Sequence, residues 1–243
     1  MRLDKLLANM GYGSRKEIKK ICRTGMVTVD GKPAKDSSMH VDPDVQVVEI
    51  EGERVIYREF VYIMMNKPDG VISATEDMLE ETVVDLLDEY YYNFEVFPVG
   101  RLDKDTEGLL VLTNDGKLAH ELLSPKKHVP KRYYAQVRGV VTEKDGEAFK
   151  RGVVLDDGYH TMPAELTILE SGDVSEIELV IYEGKYHQVK RMFEAVGKKV
   201  VYLKRLAMGE LELDPELEPG EYRELTEEEL LLLRPSAASK DVE

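Results

Sequence analysis

The chain has 243 residues, 42% hydrophobic and 33% charged, a mass of 27.7 kDa and one cysteine, Cys22; this fits one large domain or a medium domain with a small partner, and it excludes an intrachain disulfide or a cysteine-rich zinc site. The longest apolar run, Phe60 to Met65, has six residues, far short of the roughly twenty that cross a bilayer, and the Asp4-Lys5 charge pair is foreign to a signal-peptide core, so a cytoplasmic protein with no membrane partner is expected. A net charge of −15 and a pI near 4.9 argue against nucleic acid, but the total hides basic segments of net +5 over residues 1–40, +3 over 98–139 and +5 over 183–208, set against −9 from Glu210 onward; charges beyond a Debye length of ~10 Å are screened, and RNA stays open as a partner.

Residues 1–51 read as a small helical module. Leu3, Leu6 and Leu7 have helical spacing, and Gly11 or Gly13 can end that helix. Ser14-Arg15-Lys16-Glu17 fits a capping box that opens a second helix, with Ile18, Ile21 and Cys22 on its buried face and Gly25 at its end. Arg15, Lys16, Lys19, Lys20 and Arg23 recur at steps of three and four and form one exposed basic stripe. Met26 to Val29 followed by Asp30-Gly31 predicts a strand and a tight hairpin turn, and Val45 to Ile50 another strand. The stretches Arg2-Leu3-Asp4-Lys5-Leu6-Leu7, Ser14-Arg15-Lys16 and Gly25 to Gly31 resemble the alpha-L, S4-like RNA-binding domain of a small-subunit ribosomal protein and of tyrosyl-tRNA synthetases. On that resemblance the five cations of the stripe are RNA-binding residues.

Glu51 to Glu59 is charged and reads as a linker. Beyond it, strands are expected at Phe60–Met65, Glu95–Val99, Leu109–Thr113, Arg132–Val137, Ala164–Glu170, Ile177–Tyr182 and Lys199–Leu203, and helices at Leu118–Leu123, Glu143–Arg151, Tyr186–Val196 and Thr226–Leu233. Many strands joined by short turns, without a strict βαβ repeat, predict an α+β fold with a mixed, largely antiparallel sheet. The expected domains are 1–58, including the linker, and 59–235, followed by a flexible tail at 236–243.

Three segments can carry chemistry. In Gly100-Arg101-Leu102-Asp103-Lys104-Asp105-Thr106-Glu107-Gly108, alternating charges abut the apolar run Leu109–Leu112. A carboxylate beside Arg101 and Lys104 should stay ionised and is a reasonable nucleophile; by pattern alone the segment reads more readily as a solvated loop of ion pairs. In Glu183-Gly184-Lys185-Tyr186-His187-Gln188-Val189-Lys190-Arg191-Met192-Phe193, the residues Val189, Met192 and Phe193, with Val196 beyond them, give a helix its buried face. Lys190 and Arg191 then lie near the helix start, where the macrodipole does not favour cations and another group must compensate them. His187 has no second His or Cys at ligand spacing, so no metal is expected. In Lys131-Arg132-Tyr133-Tyr134, the two tyrosines face opposite sides of a strand. One of them can pack in the core or stack on a base. No Walker loop or Rossmann fingerprint occurs, and no cofactor is implied.

Together these segments resemble the RsuA/RluB/RluE/RluF family of ribosomal RNA pseudouridine synthases, most specifically in Gly100-Arg101-Leu102-Asp103-x-Asp105-Thr106-x-Gly108-Leu109-Leu110-x-Leu112-Thr113-Asn114-Asp115-Gly116. Tyr186 to Met192 is similar to the small-subunit RsuA branch, whereas the large-subunit branches usually carry Asn-Arg-Gln and two arginines there. The resemblance implies cofactor-free isomerisation of a uridine in 16S ribosomal RNA or in a small-subunit assembly intermediate, by a monomer. It assigns Asp103 as the attacking aspartate, on base or ribose, with Tyr133 stacking on the target base and Lys190 pairing with Asp103. Arg101 fills the gap left by the extruded base, and Arg191, His187 and Gln188 join the substrate contacts. A large-subunit synthase, a non-catalytic RNA-binding or assembly protein, and an acid-dependent hydrolase are the competing classes.

Overall fold

In a computed structural model, which describes residues 1–233, the chain folds as two units: Met1–Val61 with Leu87–Val96, and Tyr62–Leu86 with the chain from Phe97 onward. The expected tail at 236–243 lies outside the described residues. No helix among those residues is long and apolar enough to cross a membrane.

The first unit begins with α1 (Leu3–Asn9) and α2 (Arg15–Thr24). Ser14 and Glu17 form the expected capping box, and Gly25 ends α2 at φ +81°, a left-handed conformation that glycine adopts without a steric penalty. Four short strands follow: β1 (Val27–Val29), β2 (Lys32–Pro33), β3 (Val48–Ile50) and β4 (Glu53–Arg54), all antiparallel in the order β2-β1-β3-β4. Leu3, Leu6, Leu7, Ile18, Cys22, Val27, Val48 and Val55 share one core.

Two expectations change here. The strand expected from Val45 starts only at Val48, because Asp42 to Gln46 closes a turn that leaves Val45 79% exposed. The expected linker is structured in part: Glu53–Arg54 pairs with β3 and Val55 is 7% exposed in the core. Charge hid this, since an edge strand can be polar on both faces. A short helix, α3 (Glu89–Tyr92), also belongs to this unit.

The second unit is built on a nine-stranded mixed sheet. Its elements are β5 (Tyr62–Lys67), β6 (Phe97–Pro98), β7 (Glu107–Thr113), α4 (Gly116–Leu123), β8 (Lys131–Arg138), α5 (Glu143–Arg151), β9 (Glu165–Glu170), β10 (Val174–Ile181), α6 (Gln188–Ala195), β11 (Lys199–Met208), β12 (Leu211–Glu212), β13 (Tyr222–Glu224) and α7 (Glu227–Leu233). The strand order is β13-β5-β7-β11-β8-β10-β9, with β6 on β7 and β12 on β11. Among the strands of the described residues only the β7–β11 pair is parallel, so the expected α+β class and sheet type describe the molecule. Of the strand expected at Glu95–Val99, only Phe97–Pro98 pairs. The helix expected from Tyr186 begins at Gln188, because His187 holds a left-handed conformation at φ +49°.

The parallel pair fixes Gly108 opposite Arg205. At φ +101°, a Cβ on Gly108 would stand 2.2 Å from the Arg205 carbonyl oxygen and 2.8 Å from its nitrogen. Neither backbone atom can move without opening the sheet. Gly108→Ala is therefore expected to lower stability by about 3 kcal/mol, read as a drop in the urea midpoint; a loss below about 0.5 kcal/mol would show that the strands separate easily.

Candidate active site

The loop Gly100–Thr106 precedes β7 and is tied down almost entirely through its backbone. Lys67, at the end of β5, is fully buried, and its Nζ donates to the carbonyls of Pro68, Lys104 and Thr106 at 2.9, 3.2 and 3.0 Å. Gly70 N–H donates to the Lys104 carbonyl at 2.9 Å. Ser73 Oγ exchanges two 3.0 Å hydrogen bonds with the backbone of Leu102, and Thr106 N–H closes a turn onto the Asp103 carbonyl at 3.0 Å. Backbone pinning frees the side chains of Arg101, Asp103 and Asp105 to point outward.

Asp103 lines a cleft of about 810 Å³. Its Oδ2 accepts from Lys190 Nζ at 3.0 Å, and Asp105 accepts from the same ammonium at 2.5 Å. Burial pulls the Lys190 ammonium down, but its hydrogen bonds to Asp105 and Asp103 outweigh that and hold it above the ordinary lysine value. Burial likewise pushes the Asp105 carboxyl up, and Lys190 more than reverses it. Asp103 is the more enclosed carboxylate, with 27% of its side chain exposed against 69% for Asp105. His187 Nε2 lies 3.5 Å from Asp103 Oδ1, and its ring stacks on Tyr186 at 3.8 Å between centroids. Tyr133, on β8, borders the same cleft, as does Arg101. Tyr134 points to the other face of the sheet, edge-on to Tyr202 at 6.0 Å.

The cations at the start of α6 find the compensation that the sequence demands, in different places. Lys190 takes Asp103 and Asp105, while Arg191 pairs with Asp156 and Asp157 at 2.5 and 2.7 Å. Arg191 is thus committed away from Asp103 and does not share the position of Lys190. Gln188 is buried and works inside the protein: its Nε2 donates to Glu183 at 2.9 Å and its Oε1 accepts from Lys185 N–H at 2.9 Å. Glu183, also buried, accepts from Tyr159 Oη at 2.6 Å and Met162 N–H at 2.8 Å, which joins three segments beneath the cleft.

In the first unit, Arg15, Lys16, Lys19, Lys20 and Arg23 are all exposed. Arg15, Lys16 and Lys19 line an open hollow with Arg2, Ser37 and Ser38, while Lys20 borders a separate one beside Tyr12. Four of the five stripe cations are therefore divided between two hollows, and Arg23 lines neither. Arg2 is tied to Asp4 at 2.6 Å, and the exposed Asp36 lines the same hollow, so the three helix cations there outnumber the one carboxylate outside that pair.

Sequence reasoning missed Lys67 and Arg205, and it gave no role to Lys131 and Glu183, which stand inside the segments it singled out. The available signal was a charged residue at a buried strand position: Lys67 ends the apolar run of β5 just before Pro68, and Arg205 interrupts the alternation of β11. Burial brings the Lys67 ammonium down to about 8, against 10.5 for a free lysine. Between those values the unfolded chain holds more protons than the folded one, so stability from this group rises with pH. From pH 7.5 to 9.5, wild-type stability relative to Lys67→Met is expected to rise by about 1–2 kcal/mol in urea unfolding at each pH. A constant difference would mean that Lys67 is no harder to charge than an exposed lysine.

Residues 61–195 match the family model of RNA pseudouridylate synthase, and residues 1–47 match the S4 domain. An uncharacterized RNA pseudouridine synthase of Bacillus subtilis, YtzG, is 62% identical over 235 residues, covering 96% of this chain and 98% of the relative. Ribosomal small subunit pseudouridine synthase A of Vibrio cholerae is 42% identical over 231 residues, covering 95% and 98%. A solved structure described as a crystal structure of pseudouridylate synthase is 37% identical, covers 96% of this chain and 99% of its own, and superimposes with a TM-score of 0.67. With an S4 domain ahead of a synthase domain and these relatives along nearly its whole length, the chain belongs to the RNA pseudouridine synthases of the RsuA/RluB type.

Proposed function

We propose that this protein converts one uridine of 16S ribosomal RNA to pseudouridine, on free RNA or on an assembling small subunit, using Asp103 as its nucleophile and no cofactor. The carrying observation is the position of Asp103, held by Lys190 and facing a cleft that Tyr133 also lines. Residues 1–58 serve as the RNA-anchoring domain through Arg15, Lys16, Lys19, Lys20 and Arg23, and residues 59–235 as the catalytic domain.

A uridine inside folded RNA must leave its stack to be reached, at a cost of a few kcal/mol. Tyr133 offers an aromatic plane, and one base stacked on an aromatic ring recovers about 1–3 kcal/mol. Arg101, exposed at the cleft edge, enters the gap that the base leaves. The Asp103 carboxylate then attacks ribose or base, the glycosidic bond breaks, the uracil turns, and C5 joins the sugar. Lys190 holds the carboxylate oriented until the attack. His187, stacked on Tyr186 beside Asp103, adds a polar edge to the same wall. Gln188 and Arg191 act at one remove, through Glu183 and through Asp156 and Asp157, by shaping the segment that presents His187 and Lys190.

The small-subunit target is favoured by Tyr186-His187-Gln188-Val189-Lys190-Arg191-Met192, which places lysine, not arginine, beside Asp103. Overall similarity does not separate the targets, since a relative named ribosomal large subunit pseudouridine synthase B is 39% identical over 238 residues. Pseudouridine mapping of all ribosomal RNA from cells with and without this protein decides it. Loss of one 16S pseudouridine, restored by the wild-type gene, is expected. Loss confined to 23S RNA would move the target to the large subunit, and an unchanged map would leave the RNA-binding or assembly protein as the reading.

A further inference from the structure

Two cations in the wall of the cleft take no part in holding Asp103. Lys131 and Arg205 stand on the neighbouring antiparallel strands β8 and β11: Arg205 is the cross-strand partner of Tyr133, and Lys131 lies two residues before it on the same face. Both border the cleft, and both are buried, at 8% and 2% exposed. Buried cations are normally paired or saturated with acceptors. Lys67 meets that rule with three carbonyls. Lys131 has one, the Val129 carbonyl at 2.9 Å. Arg205 donates from Nε to the Leu109 carbonyl at 2.8 Å, and its buried Nη2 has no partner. Burial, and after it the charge of Arg205, draws the Lys131 ammonium down to about 8. Two like charges within reach of each other, short of acceptors and facing a cleft, call for an anion supplied from outside.

We propose that Lys131 and Arg205 stabilise the negative charge that develops on the uracil oxygens when the glycosidic bond breaks. This rests on the pseudouridine-forming reading of the cleft. With attack at the ribose, a carboxylate oxygen of Asp103 bonds to C1′ while the C1′–N1 electron pair leaves on N1. One bond forms and one breaks. The unit of negative charge passes from the carboxylate to the uracil, where it spreads over O2 and O4. With attack at the base, the oxygen bonds to C6 and the C5=C6 π pair moves onto C5 and O4, which shifts the charge the same way. Lys190 neutralises the carboxylate before the step; Lys131 and Arg205 act on the ring after it. An RNA phosphate could meet the same cations, but its charge exists before the reaction. It would therefore be held equally in the ground state and change KM, whereas charge born in the transition state changes kcat.

The test uses the full-length protein and tritium release from 16S and 23S transcripts labelled at uracil C5. Lys131→Met should lower kcat ~100-fold with KM within about threefold of wild type, and Lys131→Arg should recover most of that loss. Arg205→Lys keeps the charge and a donor for Leu109 but removes the unpartnered nitrogen, and it should lower kcat at least ~10-fold at constant KM. If Lys131→Met does not fold, Arg205→Lys decides alone. A raised KM with kcat intact overturns the proposal in favour of an RNA phosphate, and unchanged constants overturn it outright. Wild-type protein inactive on both free RNAs and on labelled 16S RNA assembled with small-subunit proteins would sink the reading beneath it, and the proposal with it.

Discussion

Lys67 sits at the bottom of the active-site loop with its ammonium inside a cage of three backbone carbonyls, two of them flanking Asp105. A buried charge without such a cage would unfold its surroundings or lose its proton. In this protein the need works in reverse, because the only way to satisfy Lys67 is to hold the loop in one shape. That shape turns the carbonyls of Lys104 and Thr106 inward and the carboxylates of Asp103 and Asp105 outward, toward Lys190. The parallel β7–β11 pair, closed by a glycine that admits no side chain, fixes the far end of the same loop.

Net acidity and RNA chemistry coexist because the carboxylates are placed. Arg132 is answered by Glu178 and Glu212, Arg191 by Asp156 and Asp157, and Arg223 by Asp214 and Glu229. These pairs occupy cations away from Asp103. Around the cleft the balance differs: Lys190 is shared by two aspartates, Lys104 meets Glu80, and Lys131 and Arg205 have no carboxylate among the described residues. What a polyanion meets is this local field, not the −15 of the whole chain.

Much of this was legible in the sequence, for identifiable reasons. The capping box at Ser14 and Glu17 and the glycine at the end of α2 are short-range devices, and short-range devices survive folding. The opposite facing of Tyr133 and Tyr134 follows from strand geometry alone. The need of Lys190 for a counter-charge follows from its place at a helix start, and the family resemblance points to Asp103; that Asp105 shares the ammonium is visible only in the fold. What stayed hidden depends on burial at long range. Lys67 and Thr106 are 39 residues apart in the chain, and nothing local marks a lysine as caged and not solvated. Gln188 and Arg191 read as substrate contacts because they border the motif. Their partners, Glu183 in a buried network and Asp156 and Asp157 on a separate loop, lie outside it.

The central claim is that one carboxylate of the pair that shares Lys190 is the nucleophile and that its neighbour is structural. Asp103→Asn and Asp105→Asn remove the same charge from the same ammonium, so any effect through Lys190 or RNA electrostatics is common to both. Single-turnover pseudouridine formation, measured beside RNA affinity, separates them. The account predicts that Asp103→Asn binds RNA as wild type does and forms no pseudouridine, while Asp105→Asn keeps turnover within about tenfold of wild type. Turnover by Asp103→Asn, or equal inactivity of the two variants at matched stability, would contradict it.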